Sequence, residues 1–254
     1  MRKFFKALWI FSRSLLLFIF ISYTIIVIIE HIQKTIKIEN FKSKAVYQGQ
    51  ISSNKFKYYK IDYDGRETLR FKTGSYDCYP GNEGDILVSV EQNTVHPLVN
   101  GAISFYAGGH AGYIVGSYSD YFTSINTYQT IEATTTVGDN IHCAVYPLED
   151  WTTNRFFNEV MCLRVDMTDE ERSRVNASVS SLLGDPYNMS FFFNTTNSNY
   201  CSDIISKGFM SIGKDLNKDG ATTSIWDLIV SNDAYISYYH YFDSDGVKHI
   251  YYLG

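Results

Sequence analysis

Cys201 occupies a sequence context that favours a reactive thiol. The segment 199–203 (Asn-Tyr-Cys-Ser-Asp) precedes apolar positions at helical spacing, so a helix capped by Asn199 would carry Cys201 in its first turn. The unpaired amides of a first turn and the helix macrodipole favour a thiolate and lower the pKa of the thiol. On position alone, a buried structural cysteine that acts as a small hydrophobe is the alternative.

His110 and Glu132 supply the other residue types that a cysteine nucleophile needs. His110 lies among glycines at the head of an apolar strand pattern, and the glycines leave room for the ring and for a substrate backbone. Glu132 is the single carboxylate in an uncharged strand pattern, where an inward-facing carboxylate needs a buried partner such as a histidine on the neighbouring strand. The two would provide a base and an orienting acceptor for Cys201. A structural histidine and a solvent-facing glutamate are the alternatives.

The elements that would position these residues are strands in the middle of the chain and helices after them. A capping box of Thr168 and Glu171 begins the first clear helix, which continues to about residue 183, and a second helix runs from near 199 to 209. Short apolar or alternating runs predict strands over 86–90, 102–106, 111–115, 130–135 and 142–146.

Two Asp-Gly turns predict β-hairpins, one over 56–72 and one over 235–253. Strands that are followed by discrete helices are typical of an α+β fold, here with a largely antiparallel sheet.

The N-terminal region is apolar enough to cross a membrane. Residues 15–29 carry no charge, and extension back to Ala7 gives a helix of about 34 Å, which exceeds the roughly 30 Å hydrocarbon core. Arg13 lies near the start of this span, where its side chain can reach the headgroups. Polar residues follow the span where a cleaved signal peptide would need small ones, so we expect an uncleaved anchor. The basic residues at the N-terminal end of the span indicate a cytoplasmic N-terminus and an extracytoplasmic body; they are Arg2, Lys3, Lys6 and Arg13. Four lysines on the other flank weaken that inference; they are Lys34, Lys37, Lys42 and Lys44.

Charge is divided unevenly along the chain. Residues 1–44 hold eight basic and two acidic residues, whereas the remaining 210 residues hold 14 basic and 25 acidic residues. So acidic a body offers no cationic face to phosphate groups, which excludes nucleic acid as a partner.

Metal-ligand spacing is absent, and we expect neither a metal nor a cofactor. The four cysteines, at 78, 143, 162 and 201, form no C-x-x-C pair. Some of them could pair as disulfides in an extracytoplasmic compartment. The run Asp215–Gly220 copies the first half of an EF-hand loop, but its glutamate position is Trp226, so a polar turn is expected rather than a calcium site.

Five segments in the right order resemble the YiiX-like family, in the circularly permuted branch of NlpC-type papain-fold hydrolases. They are 84–87 (Gly-Asp-Ile-Leu), 110–116 (His-Ala-Gly-Tyr-Ile-Val-Gly), 131–133 (Ile-Glu-Ala), 183–188 (Leu-Gly-Asp-Pro-Tyr-Asn) and 199–203. In that branch the histidine strand precedes the cysteine helix, as His110 precedes Cys201 here. The resemblance covers about 78–232, including a short helix over 223–231.

The resemblance implies a permuted papain-like fold with an antiparallel sheet and packed helices. It assigns Cys201 as the nucleophile, His110 as the base and Glu132 as the third polar member of the site. Asp203 departs from the glutamate that many members carry after Cys-Ser. The implied domain organisation is a cytoplasmic N-terminus, a transmembrane anchor, a juxtamembrane stalk (or helix continuation) with a β-hairpin, and a cysteine hydrolase domain, over 1–6, 7–29, 30–77 and 78–254.

The implied activity is hydrolysis of amide bonds through a thioester intermediate, in cell-wall peptides or in small acylated amino acids and peptides. The related lecithin retinol acyltransferase branch supplies one alternative, a lipid-directed thiol esterase or acyltransferase that the anchor would hold near the bilayer. A non-catalytic binding module on the same fold is the other alternative. The expected partners are therefore a peptide, acyl-amino-acid or lipid substrate and the membrane.

Overall fold

A computed structural model describes residues 2–51, 55–62, 67–69, 79–91, 97–119, 126–134, 142–148, 150–153, 158–190, 196–217 and 222–254. The strands within these residues are β1 (Val46–Ile51), β2 (Phe56–Ile61), β3 (Ile86–Ser89), β4 (His110–Ser119), β5 (Asn126–Thr134), β6 (His142–Pro147), β7 (Glu159–Val165), β8 (Ala234–Phe242) and β9 (Lys248–Leu253). The helices are α1 (Arg2–Lys42), α2 (Pro97–Ala107), α3 (Asp150–Thr153), α4 (Asp169–Ser180), α5 (Cys201–Met210) and α6 (Ile225–Val230).

One sheet contains all nine of these strands, in the order β1-β2-β9-β8-β7-β3-β4-β5-β6. Every neighbouring pair is antiparallel except β2 and β9, which are parallel. The predicted α+β class and largely antiparallel sheet are therefore confirmed. The predicted hairpin near residue 246 is also confirmed, because β8 and β9 pair directly with Tyr238 opposite Tyr252.

The hairpin predicted over 56–72 is wrong. Strand β2 already has two neighbours, β1 on one edge and β9 on the other, where Phe56 faces Lys248 and Ile61 faces Leu253. Residues 67–69 form no strand, and the rest of the predicted second strand and its turn lie outside the described residues. A distant strand has taken the edge that the local turn pattern assigned to residues 66–72.

Helix α2 replaces the strand predicted over 102–106. A short apolar run fits a strand and one face of a helix equally well, so periodicity alone does not separate them. Pro97 stands at the first helical position, where its fixed φ and missing N–H are tolerated. The helix ends at Ala107, three residues before His110.

Helix α1 continues through the segment predicted as a stalk. By length and composition, its part from Phe4 to Lys42 is long and apolar enough to cross a membrane. Its later turns pack on the body, where Val27, Ile38 and Phe41 are buried. The Lys37 ammonium donates to three carbonyl oxygens at 2.6–2.9 Å, so this part of the helix is fixed to the domain.

The capping signals explain where the later helices begin. The capping box of Thr168 and Glu171 forms as predicted at the start of α4. Helix α5 begins at Cys201 with Tyr200 as its N-cap, and no side chain caps it. The side chain of Asn199, predicted as the cap, instead donates to Asp185 at 2.9 Å and accepts from Lys207.

Helix α5 lies between the sheet and α4, and this packing fixes the position of Cys201. The ring of Phe209 meets Tyr113 of β4 edge-on, with the centroids 6.2 Å apart. On the other side, a Cβ at Gly208 would lie 2.5 Å from a methyl of Val179, so only glycine lets α4 come this close. The start of α5 is therefore held over β4 and β5.

Candidate active site

Cys201 is the first residue of α5, and its side chain is 8% exposed. Its sulfur interacts with the His110 ring and with the backbone N–H groups of Ala111 and Ser202. Amides at the start of a helix stabilise negative charge, so this position suits a thiolate.

Glycines let His110 approach Cys201. The backbone N–H of His110 donates to Ser89 Oγ at 3.0 Å, which fixes the start of β4 against β3. A Cβ at Gly109 would lie 2.6 Å from the Ser89 carbonyl oxygen, so the strands could not come this close with a larger residue. Gly108 has a φ of +81° and lies against Ile225, where a side chain would collide.

Glu132 reaches His110 diagonally across β4 and β5. The register pairs Tyr113 with Ile131, which places Gly112 opposite Glu132. Because Gly112 has no side chain, the carboxylate can lean toward His110, and Glu132 Oε2 lies 2.7 Å from His110 Nε2. The other ring nitrogen, Nδ1, is then left to face Cys201.

Two further side chains hold the Glu132 carboxylate. Thr130 Oγ1 donates to Oε1 at 2.5 Å, and Trp151 Nε1 donates to the same oxygen at 2.7 Å. The Trp151 ring also stacks on His110, with the centroids 5.6 Å apart and the planes at 10°. Sequence reasoning missed both residues. Thr130 had a signal, since it lies two positions before Glu132 on the same strand face, whereas Trp151 had none.

Electrostatic interactions favour a negative charge on Cys201 and a positive charge on His110. Burial raises the pKa of Cys201, but the hydrogen bond and positive charge of His110 outweigh burial and lower it. Burial lowers the pKa of His110, but the hydrogen bonds and negative charges of Cys201 and Glu132 raise it to about 10. The pKa of Glu132 is lowered despite its burial, chiefly by His110. This arrangement favours a thiolate–imidazolium pair oriented by a carboxylate, which can attack an acyl carbon and protonate a leaving group.

Tyr187, which sequence reasoning quoted without a role, lies close enough to Cys201 for the charge of the thiolate to act on it. The chain there pairs with the segment before α5, since Tyr187 forms a β-bridge with Asn199. Burial and the negative charge of Cys201 both raise the pKa of Tyr187, which therefore stays protonated as a hydroxyl donor.

The other two described cysteines are not in disulfides. Cys143 and Cys162 are buried free thiols, and Cys78 lies outside the described residues. No group of three or more His, Cys, Asp or Glu side chains within the described ranges is arranged to hold a metal ion. In the predicted polar turn, the Asn217 N–H donates to Asp215 Oδ1 at 3.0 Å, and residues 218–221 lie outside the description.

Comparisons with known proteins agree with the order of the segments. Residues 81–233 match the family described as permuted papain-like amidase enzymes, YaeF/YiiX. Among solved structures, the chain is similar to a protein described as the metalloprotein yiiX from Escherichia coli, at 17% identity over 66% of this chain and 92% of the other, with a TM-score of 0.42. A search of curated proteins found no match.

Proposed function

The chain belongs to the YaeF/YiiX family of permuted papain-like amidases, and on this premise we propose that it is a membrane-anchored cysteine hydrolase with Cys201 as its nucleophile. The observation that carries the proposal is the continuous contact from Cys201 through His110 to Glu132, in which the pKa of the thiol is lowered and that of the imidazole is raised. Opposite pKa shifts in a partnered thiol and imidazole are typical of functional sites.

The chemistry is acyl transfer to sulfur. The Cys201 thiolate attacks the amide carbon, and the electron pair of the carbonyl moves to oxygen. When the tetrahedral intermediate collapses, the amine leaves with the proton of His110, and a thioester remains. His110 then takes a proton from water, the hydroxide attacks the thioester, and a carboxylate is released as the thiolate returns.

Oxyanion stabilisation in this proposal comes from two sides of Cys201. The backbone N–H of Cys201, at the start of α5, is one donor. The hydroxyl of Tyr187 is proposed as the second, because the bridge to Asn199 joins its backbone to the segment before α5, the charge of Cys201 acts on it, and it stays protonated. Its donation would strengthen as charge moves from sulfur to the substrate oxygen.

The anchor in this proposal is residues 7–29 of α1, with the N-terminus in the cytoplasm and the catalytic domain on the other side. Every side chain from Leu8 to Ile21 is exposed, which is the pattern of a helix that lipid surrounds. Amide substrates on the outer side, such as cell-wall peptides or acylated amino acids, are the first candidates.

A lipid-directed thiol esterase or acyltransferase is the second candidate, and one contact favours it. The Tyr106 ring lies 6.0 Å from that of Phe20, inside the proposed span, and Tyr106 precedes His110 by only four residues. The candidate catalytic pair is thus close in sequence to a residue that touches the anchor.

The pH dependence of thiol alkylation tests the nucleophile. In the full-length protein we expect iodoacetamide to alkylate Cys201 well below the ordinary thiol pKa of about 8.5. Cys143 and Cys162 are matched controls in the same molecule, because burial raises the pKa of both, that of Cys143 to about 11. His110→Ala should move Cys201 alkylation to higher pH, as measured by mass spectrometry of each cysteine.

Selective low-pH alkylation that disappears in His110→Ala would support the catalytic pair. Alkylation of Cys201 with the pH dependence of an ordinary thiol, unchanged by His110→Ala, would contradict it and favour a non-catalytic binding module.

A further inference from the structure

One end of the proposed span is marked by Trp9 and Arg13. The guanidinium of Arg13 lies 4.6 Å from the centre of the Trp9 ring, so the side chain points toward the N-terminus. Tryptophan and a snorkelling arginine are typical of the membrane interface. About 20 helical residues cross the roughly 30 Å hydrocarbon core, so a span that begins at Trp9 ends near Ile29.

The catalytic body meets α1 before that span ends. The Tyr23 hydroxyl donates to the Tyr106 carbonyl at 3.1 Å, and Thr24 Oγ1 lies 3.2 Å from the Tyr106 hydroxyl. Tyr23 precedes Ile29 by six residues, which is about 9 Å along a helix. The end of α2 therefore lies about 9 Å inside the level at which the span ends.

The carbonyl groups at the end of α2 have protein hydrogen-bond partners and do not need water. The last carbonyls of a helix have no partner within it, and in lipid each unsatisfied group is costly. Here the Phe105 carbonyl is met by His31 Nε2 and by Trp226 Nε1, each at 3.0 Å. The Tyr106 carbonyl is met by Tyr23. Side chains from α1 and α6 thus satisfy both.

The outer face of α1 continues without charge beyond the span. Between residues 25 and 36 the ionisable side chains are Glu30, His31 and Lys34, and all three turn to the body. Glu30 is buried, the His31 ring lies 4.2 Å from that of Trp226, and the Lys34 ammonium lies 5.3 Å from the same ring. The opposite face is about half exposed and apolar at Ile25, Ile29, Ile32 and Ile36.

A water-facing helix shows the reverse distribution, with its charges outward. The face is also continuous with the span and carries no charge up to Ile36, about 10 Å beyond Ile29, which is the thickness of a headgroup layer. These observations point to lipid as the occupant of this surface.

We propose that the catalytic body is seated in the outer leaflet of the bilayer, with the isoleucine face of α1 and the end of α2 in contact with lipid, and that an acyl chain of the substrate enters from that leaflet. The proposal rests on the anchored hydrolase proposed above and names its substrate class, an amphiphile whose acyl carbonyl lies at headgroup level.

A groove on the isoleucine face of α1 could hold the acyl chain within reach of the candidate site. It has a volume of about 410 Å³ and lies along α1 where Phe105 of α2 meets it, lined by Ile28, His31, Ile32, Thr35, Ile36 and Phe105. Phe105 precedes His110 by five residues, so their Cα atoms are at most about 18 Å apart. An extended acyl chain is long enough to lie in the groove while its carbonyl approaches Cys201.

Depth measurements test the seating. Full-length protein with Cys201→Ala, to remove the reactive thiol, carries a fluorophore at Ile29→Cys or Ile32→Cys in phosphatidylcholine vesicles. Doxyl-labelled lipids should quench both positions and leave Lys44→Cys, beyond the end of α1, unquenched. Quenching at neither position would overturn the proposal. Cross-linking of Ile32→Cys between two copies without quenching would also overturn it, since a second chain would then cover the face.

A lipid-borne probe tests the entry route without a known substrate. N-hexadecyl iodoacetamide in the vesicles should alkylate Cys201, and Ile29→Lys with Ile32→Lys should slow this about tenfold, because each lysine disfavours the lipid contact. Alkylation by water-soluble iodoacetamide should not change. Asn40→Lys, exposed on the same helix beyond the isoleucine face, is the matched control and should behave as the parent.

The outcomes separate the two proposals. If iodoacetamide alkylates Cys201 and the lipid-borne reagent does not, or if the paired lysines have no effect, entry from the leaflet is overturned while the hydrolase stands. If neither reagent alkylates Cys201, the proposed nucleophile and the substrate route built on it both fail, and the quenching result alone decides the seating.

Discussion

Cys162 and Cys201 are both buried thiols, and their neighbours give them opposite chemistry. The sulfur of Cys162 in β7 lies 3.5 Å from Asp85 Oδ2, and burial together with that negative charge raises the pKa of the thiol well above its usual range. Cys201 faces the imidazole of His110 instead, and its pKa falls although it too is buried. Burial therefore makes a thiol inert by default, and the charge of the group placed against it decides whether it reacts.

The surroundings of the two thiols also differ in how fully their charges are paired. Arg164 binds both oxygens of Asp85 at 2.7 Å, and its remaining nitrogen donates to the Glu67 carbonyl, so this group is closed. Around Cys201 the hydrogen bonds converge on Glu132 and His110, and the cysteine residue keeps a small exposed fraction. The fully paired Arg164 and Asp85 serve to hold the sheet together. The group around Cys201 is less fully paired and leaves room for a substrate.

Replacing each thiol in turn should give the largest difference. We expect Cys201→Ser to reduce turnover of an acylated peptide amide by at least about a thousandfold, because the weaker serine nucleophile is not ionised by His110. Cys162→Ser should stay within about twofold of the parent, since its hydroxyl can still donate to Asp85. Initial rates of amide cleavage measure both. A comparable loss in a folded Cys162→Ser protein would contradict the contrast.

Removing the charge of Glu132 should have a smaller effect on the same pair. Glu132→Gln keeps the shape but loses the negative charge that helps to raise the pKa of His110 to about 10, so the imidazolium will lose its proton at lower pH. We expect turnover to fall about a hundredfold and the alkaline limb of the pH–rate profile to move to lower pH. Glu159→Gln is the control, because its carboxylate accepts from Tyr239 away from the site.

The raised pKa of His110 also makes the stability of the folded protein depend on pH. Because the folded pKa of His110 lies above its ordinary value of 6.5, its contribution to stability is fully present below that value and is lost as pH rises through about 10. Unfolding midpoints measured from pH 6 to 10 should therefore fall more for the parent than for Glu132→Gln. Equal slopes would show that the carboxylate does not act through His110.

The smallest effect is expected at Trp151. Trp151→Phe removes the N–H that donates to Glu132 at 2.7 Å but keeps an aromatic ring against His110. The carboxylate still accepts from Thr130 and His110, so turnover should fall about tenfold, as one hydrogen bond to a charged group is worth about 1.5–3 kcal/mol. Steady-state rates and the pH of Cys201 alkylation measure it, and a loss as large as that of Glu132→Gln would give Trp151 a larger role than positioning.

Local patterns predicted the elements whose signals are contained in short stretches. The capping box at Thr168 and the turn near Gly246 both formed where the sequence placed them, because their hydrogen bonds join residues only a few positions apart. Part of the helix over 97–107 was mistaken for a strand, since a short, mostly apolar run fits either structure. The partner of β2 was also missed, because it lies about 190 residues away and leaves no local trace.

In the candidate site, too, local sequence signals were predictable and long-range contacts were not. Residue types and their order named Cys201, His110 and Glu132, and the structure brings the three side chains together. Trp151 reaches Glu132 from a separate short helix, and only tertiary packing creates that contact. The sequence also could not predict which turns of α1 pack against the rest of the protein, because it shows only that the run is apolar.

The parallel pairing of β2 with β9 bears on how the protein is made. Strand β2 leaves the ribosome soon after α1, but its partner β9 is synthesised about 190 residues later. Until then β2 has an unpaired strand edge, which favours mispairing. This part of the sheet therefore cannot form until β9 has been synthesised. In the interval, a chaperone that covers the edge of β2 would reduce mispairing.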